Sequence, residues 1–166
     1  MGVNIALLTV TDTRTLETDK SGNILVDKIK KALHQLIDRK ICKDNKEDIK
    51  KILVEWTKLK DIDVIITTGG TGLTGRDITP EALDEIADKH IPGFGEVFRT
   101  ISFKTVGTSS IQSRACAVLA NGKYIFALPG SSGGVTDAWD QILIHQLDIN
   151  HKPCNFVELF PRLKEK

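Results

Sequence analysis

Residues 64–82 read VIITTGGTGLTGRDITPEA, a short β-branched run followed by a glycine-rich turn and the start of a helix. The run from Val64 to Thr68 has the length of a buried strand and stops at Gly69. Thr79 and Pro80 predict a helix start, with a capping side chain followed by proline at the first helical position. The stretch is therefore predicted to form one strand–loop–helix unit of an α/β fold.

The segments before this unit repeat the alternation of strand and helix. Residues 3–10 form a short apolar run that predicts a buried strand. Residues 35–43 are assigned to a strand, although their spacing equally fits the continuation of a helix. Ser21 and Asn45 are predicted to cap the two intervening helices. The apolar stripes expected on these helices are Leu25, Ile29, Ala32 and Leu33 in the first and Ile49, Ile52, Leu53, Trp56 and Leu59 in the second.

The second half of the chain adds two further helices and a hairpin. Asn121-Gly122 lies between apolar residues 115–120 and 124–128, which is a strong signal for a two-residue hairpin turn. The last helix is expected over residues 135–147, and an earlier one carries Phe94, Val97, Phe98 and Ile101. This order predicts a three-layer α/β sandwich with a mostly parallel sheet, helices on both faces and an antiparallel hairpin.

Composition indicates an ordinary globular chain. The 166 residues fit one domain over residues 1–166, with 40% apolar and 27% charged residues. The net charge of +1, without a dense basic stretch, argues against nucleic-acid or membrane partners. The three cysteines lie far apart, and the N-terminal residues lack the features of a signal peptide. We therefore expect a cytoplasmic protein with reduced thiols.

The glycine-rich turn after Thr68 is the first candidate binding site. Ligands of open α/β sheets bind beyond the carboxyl ends of the strands. Because Gly69, Gly70 and Gly72 lack a Cβ, a ligand could approach the backbone closely. The successive amides of these residues and of Thr71 could form an anion-binding nest, so the turn predicts a phosphate site. A valine at Gly70 is expected to fill the phosphate approach. The alternative is that the glycines only form a tight turn.

Two familiar glycine patterns are excluded here. A P-loop needs lysine after its last glycine, whereas Arg76 and Asp77 follow Gly75. A dinucleotide fingerprint runs directly into its helix, whereas Thr79-Pro80 delays the helix start. Asp77, placed beside bound phosphate, predicts a bridging Mg²⁺. The alternatives for Asp77 are a helix cap or an ion pair with Arg76.

The segments after Val10 and after Leu128 are also rich in Gly, Ser, Thr or Asp, and we expect them at the same edge of the predicted sheet. In LPGSSGGVTDAW, residues 128–139, a strand again enters a glycine- and hydroxyl-rich turn before a helix. Gly130, Ser131 and Ser132 are therefore predicted to bind a second oxyanion. Ser109, Ser110 and Ser113 in GTSSIQSRA add hydroxyl donors, although serines in turns often make only local caps.

Six motifs carry a resemblance over residues 4–156. They are TTGGTG, GRDITPEA, PGFGEVFR, GTSSIQSRA, ALPGSSGGVTDAW and QLDINHKPCNF, in that order. Together they closely resemble the MoaB/MogA family of molybdenum cofactor biosynthesis proteins, and the SRA, DAW and PCNF segments look most like the MoaB branch. The resemblance implies a molybdopterin-binding α/β fold assembled as a homotrimer or as a hexamer made of two trimers.

The resemblance also implies an activity and assigns residues to it. Active members use ATP and Mg²⁺ to attach AMP to molybdopterin, for later metal insertion by a downstream molybdenum-insertion protein. By motif, Asp44 and Asp77 would be the catalytic, Mg²⁺-holding acids. For this reaction, the glycine turn is expected to bind nucleotide phosphate, and Ser109, Ser110 and Ser113 are expected to contact the pterin. Asn45 stands where the family commonly has an acidic residue beside Asp44, and this difference bears on metal affinity. Two rival functions remain: a molybdopterin-binding and delivery protein without turnover, and a nucleotide-dependent regulator.

Overall fold

The computed structural model describes residues 2–165. Its strands are β1 (Asn4–Val10), β2 (Gln35–Cys42), β3 (Val64–Thr68), β4 (Lys89–His90), β5 (Cys116–Ala120) and β6 (Lys123–Leu128). Its helices are α1 (Lys20–Lys31), α2 (Lys46–Lys58), α3 (Thr79–Asp84), α4 (Pro92–Val106) and α5 (Ser132–Ala138). Helix α5 continues through a π-helical turn, Trp139–Leu143, and a last α-helical turn, Ile144–Gln146. Two 3₁₀ segments, Gly107–Gln112 and Val157–Arg162, complete the regular structure.

The six strands form one mixed sheet in the order β2-β1-β3-β6-β5-β4. The pairs β1–β2, β1–β3 and β3–β6 are parallel, whereas β5 runs antiparallel to both β4 and β6. The carboxyl ends of β1, β2, β3 and β6 therefore meet at one edge of the sheet. Because β5 is antiparallel, the segment that precedes it reaches the same edge.

Alternating side chains of β1 divide the core between the two faces of the sheet. Ile5 and Leu7 pack with α1, α4 and α5, while Ala6, Leu8 and Val10 pack with α2 and α3. This is the period-two alternation of a strand that is buried on both faces. The predicted three-layer α/β sandwich with an antiparallel hairpin is confirmed.

Several sequence predictions about helix ends are wrong. Asp19, not Ser21, is the N-cap of α1, and its carboxylate accepts the Gly22 amide hydrogen bond. The helix ends before Leu33, which has φ of 61° and is 84% exposed instead of lying on the apolar stripe. The hydroxyl of Thr79 does not cap α3, since Ile78 is the N-cap position and makes no side-chain cap bond.

Other local predictions have mixed outcomes. The hairpin turn is confirmed, because Asn121 and Gly122 both have positive φ, as a type I′ turn requires. Asn45 caps α2, as predicted. Leu59 and Val97, which we placed on apolar stripes, are exposed. The final helix begins at Ser132, before the predicted residue 135, and strand β4 was not predicted. No helix within residues 2–165 has the length and apolar character to cross a membrane.

Candidate functional site

A cleft of about 780 Å³ opens at the edge where the parallel strands end. It is lined by the turns after β1, β3 and β6 and by the 3₁₀ segment before β5. All of the predicted site residues except Ser132 line it: Asp44, Gly69, Gly70, Thr71, Gly72, Asp77, Ser109, Ser110, Ser113, Gly130 and Ser131. The cleft thus combines the three chain segments that the sequence singled out separately.

Gly69 and Gly70 form a turn that other residues could not adopt without strain. Their φ angles are 101° and 68°. A Cβ on Gly69 would collide with the carbonyl oxygen of Val10 at the end of β1. The Gly69 amide donates to the Leu128 carbonyl oxygen at 3.0 Å, so this residue has no free amide for a ligand, and its missing Cβ allows close packing against the end of β1.

Thr79 holds the carbonyl groups of this turn. Its hydroxyl donates to the Gly69 oxygen at 2.9 Å and its amide donates to the Gly70 oxygen at 3.0 Å. Within the described chain, the amides of Gly70 and Thr71 have no protein acceptor, so they remain the candidate donors for an anion. A Cβ on Gly70 would strike the Thr79 hydroxyl. The expectation that this side chain would fill the phosphate approach is therefore wrong, because it points at the α3 anchor.

Asp77 closes the turn that follows the glycines. Its Oδ2 accepts hydrogen bonds from the Thr74 amide at 2.8 Å and the Thr74 hydroxyl at 2.7 Å. Arg76 pairs instead with Asp12, at 3.4 Å, so the predicted alternative of an Arg76–Asp77 ion pair is wrong. The helix-cap alternative is also wrong, since the carboxylate binds the loop and not the first turn of α3. Burial alone would raise the pKa of Asp77, but the bonds from Thr74, the Gly72 amide and the Arg114 charge lower it.

Asp44 faces Asp77 from the end of β2. Burial raises the pKa of Asp44, and the negative charges of Asp12 and Asp77 raise it further, while Arg76 opposes them. The Asp44 amide donates to Asp12 Oδ1 at 3.2 Å. Carboxylates from the segments after β1, β2 and β3 therefore lie near one another, and Arg76, which pairs with Asp12, offsets part of their negative charge. Across residues 2–165, no three His, Cys, Asp or Glu side chains are arranged to hold a metal ion by themselves.

The serines of the site differ in what they offer. Ser110 is buried and Ser109 is exposed, and both line the cleft with Ser113. The Ser131 hydroxyl accepts the Gly134 amide at 3.1 Å and caps α5, yet it can still donate to a ligand. Ser132 is the first residue of α5, is exposed and does not line the cleft.

Arg114 fixes the glycine turn, and sequence reasoning did not assign it a role. Its Nε donates to the backbone carbonyl oxygen of Gly72 at 2.7 Å, and its Nη2 donates to the backbone carbonyl oxygen of Asp77 at 2.7 Å. Its Nη1 pairs with the carboxylate of Glu81. Its amide also donates to the Thr71 oxygen at 2.9 Å. The only signal available in the sequence was its place in the SRA motif, which does not show what the guanidinium binds.

Comparison with known proteins gives a consistent result. Residues 6–149 match the family model described as a probable molybdopterin binding domain. The chain is 45% identical over 161 residues to molybdenum cofactor biosynthesis protein B of Escherichia coli (strain K12), covering 97% of this chain and 93% of that protein.

Two crystal structures extend this similarity to the fold. A molybdenum cofactor biosynthesis protein B superposes with a TM-score of 0.89 at 38% identity, covering 100% of this chain and 98% of that one. The tungsten cofactor synthesizing protein MoaB from Pyrococcus furiosus superposes with a TM-score of 0.76 at 35% identity, covering 86% and 91% of the two chains. The sequence resemblance is thus confirmed in both sequence and structure.

Proposed function

Because the chain belongs to the MoaB/MogA family of molybdenum cofactor biosynthesis proteins, we propose that it adenylylates molybdopterin with Mg-ATP. Residues 1–166 would act as one molybdopterin-binding domain. The observation that carries the proposal is the convergence of the glycine turn and two carboxylates, Asp44 and Asp77, in one cleft.

The reaction is a substitution at phosphorus. An oxygen of the terminal phosphate of molybdopterin attacks the α-phosphorus of ATP, and the bond to the oxygen bridging the β-phosphate breaks. Pyrophosphate leaves with that electron pair, so no protein nucleophile is needed. Catalysis then depends on positioning and on neutralising charge.

The chain's own residues would supply the positioning. The free amides of Gly70 and Thr71 would donate to phosphate oxygens. Gly69 and Gly72 line the same cleft and would hold the turn in place, because the absence of a Cβ lets them pack against Val10 and Asp77. Ser109, Ser110 and Ser113, which line the same cleft, would contact the pterin. Gly130 and Ser131 would bind a second oxyanion, and Ser132 would act only through the first turn of α5.

Asp44 and Asp77 fit a Mg²⁺ site of the substrate-dependent kind. Magnesium in nucleotide enzymes is held by one or two carboxylates, with phosphate oxygens and water completing its shell. Two convergent carboxylates meet that need without a third protein ligand. When bound, Mg²⁺ would neutralise phosphate charge.

A binding and delivery function is the second candidate. It is favoured by one observation: Oδ2 of Asp77 already accepts two hydrogen bonds from Thr74, which a purely structural role would explain. On this reading the cleft would hold molybdopterin and pass it on without turning over ATP. A nucleotide-dependent regulator, the third interpretation, has no such observation in its favour.

One incubation separates these functions. Purified protein is mixed with molybdopterin, ATP and MgCl₂, and adenylylated pterin is measured by mass spectrometry alongside released pyrophosphate. If the chain is the adenylylating enzyme, we expect equal amounts of adenylylated pterin and pyrophosphate, and neither product when EDTA replaces MgCl₂. Titration calorimetry with each ligand completes the test. Pterin binding without either product would support the delivery function, and ATP binding without pterin affinity would indicate the regulator.

We also propose that the chain assembles as a homotrimer or hexamer and hands its product to a molybdenum-insertion protein. Exposed apolar side chains of α4 and the 3₁₀ segment after it support self-association, namely Val97, Phe103, Val106 and Ile111. Size-exclusion chromatography with light scattering would measure the mass, and a monomer at micromolar concentration would contradict the assembly.

A further inference from the structure

The cleft carries an unusual balance of charge for a site that is to bind phosphates. Asp44, Asp77 and Asp137 line it, and Arg14 is the one basic side chain among its described lining residues. A phosphorylated ligand meets net repulsion except where a cation lies. Arg14 is therefore the lining residue of the described chain whose charge favours an anion.

Arg14 is held in place at one of its nitrogen atoms. Nη1 donates to the Ser21 hydroxyl at 3.1 Å and to the Gly130 oxygen at 3.2 Å. These contacts place the guanidinium between the turn after β1 and the turn after β6. Nε and Nη2 have no acceptor within residues 2–165, and the side chain is 38% exposed. A guanidinium has five N–H donors, so most of its donors remain available.

The positive charge of Arg14 is not cancelled by its neighbour. The buried carboxylate of Asp19 lies 3.9 Å from Arg14 Nη1, but it accepts a 3.0 Å hydrogen bond from Arg39. Its Oδ2 also accepts from the Thr9 hydroxyl at 2.6 Å. One carboxylate thus faces two guanidinium groups, and Arg39 is the one in hydrogen-bond contact. The surplus charge lies with Arg14, at the cleft.

We propose that Arg14 binds a phosphate group of the ligand at the end of the cleft formed by the β1 and β6 turns. This rests on the proposed function and deepens it by assigning a cationic contact. A guanidinium offers paired donors that match phosphate oxygens, and such charge-assisted bonds are strong. The phosphate comes either from the terminal group of the pterin or from the nucleotide chain, since both carry the same chemistry.

The test measures ligand affinity of purified variants by titration calorimetry, with ATP in EDTA, with Mg-ATP and with molybdopterin. Arg14→Gln keeps much of the side-chain length but removes the charge, and Arg14→Lys keeps the charge without the paired donors. Arg76→Gln is the matched control, because Arg76 pairs with Asp12 beside the cleft, is 77% exposed and does not line the cleft. Circular dichroism checks that each variant is folded.

We expect Arg14→Gln to weaken one ligand by roughly tenfold or more, Arg14→Lys to weaken it less, and Arg76→Gln to change it by less than about twofold. Weaker affinity for molybdopterin alone would assign the Arg14 contact to the phosphate of the pterin, and weaker affinity for ATP alone would assign it to the phosphates of the nucleotide. Unchanged affinity in both Arg14 variants, or equal loss in Arg76→Gln, overturns the proposal while the proposed function stands. A parent protein that binds neither ligand overturns both. If Arg14→Gln fails to fold, the Arg14→Lys variant provides the test. A ligand affinity equal to that of the parent in Arg14→Lys would contradict a contact that needs the paired donors of the guanidinium.

Discussion

Replacing Arg114 with alanine is expected to lower the free energy of unfolding by about 3–4 kcal/mol. The side chain donates to the carbonyl oxygens of Gly72 and Asp77, both at 2.7 Å, and pairs with Glu81. Hydrogen bonds from a charged donor contribute about 1.5–3 kcal/mol each, and partial exposure of Arg114, at 30%, argues for the lower end. The half-exposed ion pair adds less than about 1 kcal/mol.

Urea unfolding measures this change. For a chain of this size m is about 2 kcal/mol/M, so the midpoint should fall by about 1.5–2 M at unchanged m. Arg114→Lys serves as the matched variant, because an ammonium keeps the charge but cannot reach three acceptors in one plane, and it should lose about half as much. Amide hydrogen exchange should quicken over residues 70–77 in the alanine variant and stay unchanged in β2. A midpoint within about 0.3 M of the parent, or a lysine variant equal to the parent, would refute the reasoning.

Three further outcomes are expected. Asp77→Asn should lower turnover by about a hundredfold if the carboxylate charge holds the metal. Thr74→Val, which removes only the 2.7 Å hydroxyl hydrogen bond to Asp77, should lower turnover far less. Equal losses of Mg²⁺-dependent turnover in the two variants would indicate that Asp77 has only a structural role. Asp19→Asn should cost about 3 kcal/mol or more at pH 7, measured by urea unfolding. Burial raises the pKa of Asp19, but its hydrogen bonds lower the pKa overall in the folded protein. The ionised carboxylate therefore stabilises the fold above the pKa of the unfolded state, and this stability is lost as pH falls through the pKa of the folded state. The difference in unfolding free energy between parent and variant should narrow below about pH 4, and a constant difference would contradict this. Gly70→Ala should lower the free energy of unfolding by about 2–3 kcal/mol because φ is 68° and the Cβ meets Thr79. Gly133→Ala, at a helical position with open space around it, should instead raise it by up to about 1 kcal/mol, because alanine loses less backbone entropy on folding. Thermal unfolding of both variants would show the contrast, and equal effects would oppose it.

Features determined by neighbours in the chain could be predicted from the sequence. The positive φ values of Asn121 and Gly122 follow from residue types that tolerate them, so the hairpin was predictable. The buried strands Asn4–Val10 and Val64–Thr68 follow from continuous apolar runs between turn signals. Because carboxyl ends of parallel strands share an edge, most of the candidate site residues could also be predicted from motif position alone.

Features determined by distant partners could not be predicted in this way. Ser21 was predicted to cap α1, but Asp19 occupies that position, and its carboxylate is also bonded to Arg39, twenty residues away. Arg114 binds acceptors 33 to 42 residues away, and Arg14 binds Gly130, 116 residues away. The sequence by itself therefore determined most of the order of strands and helices and the glycine turn, because these depend on local backbone preferences and hydrophobic period. The two-residue strand β4 was not among them, because it is defined by its pairing with the distant β5. Only the tertiary structure decided which charges hold that turn and which one faces the cleft, because electrostatic and hydrogen-bond partners are set by distance in space and not along the chain.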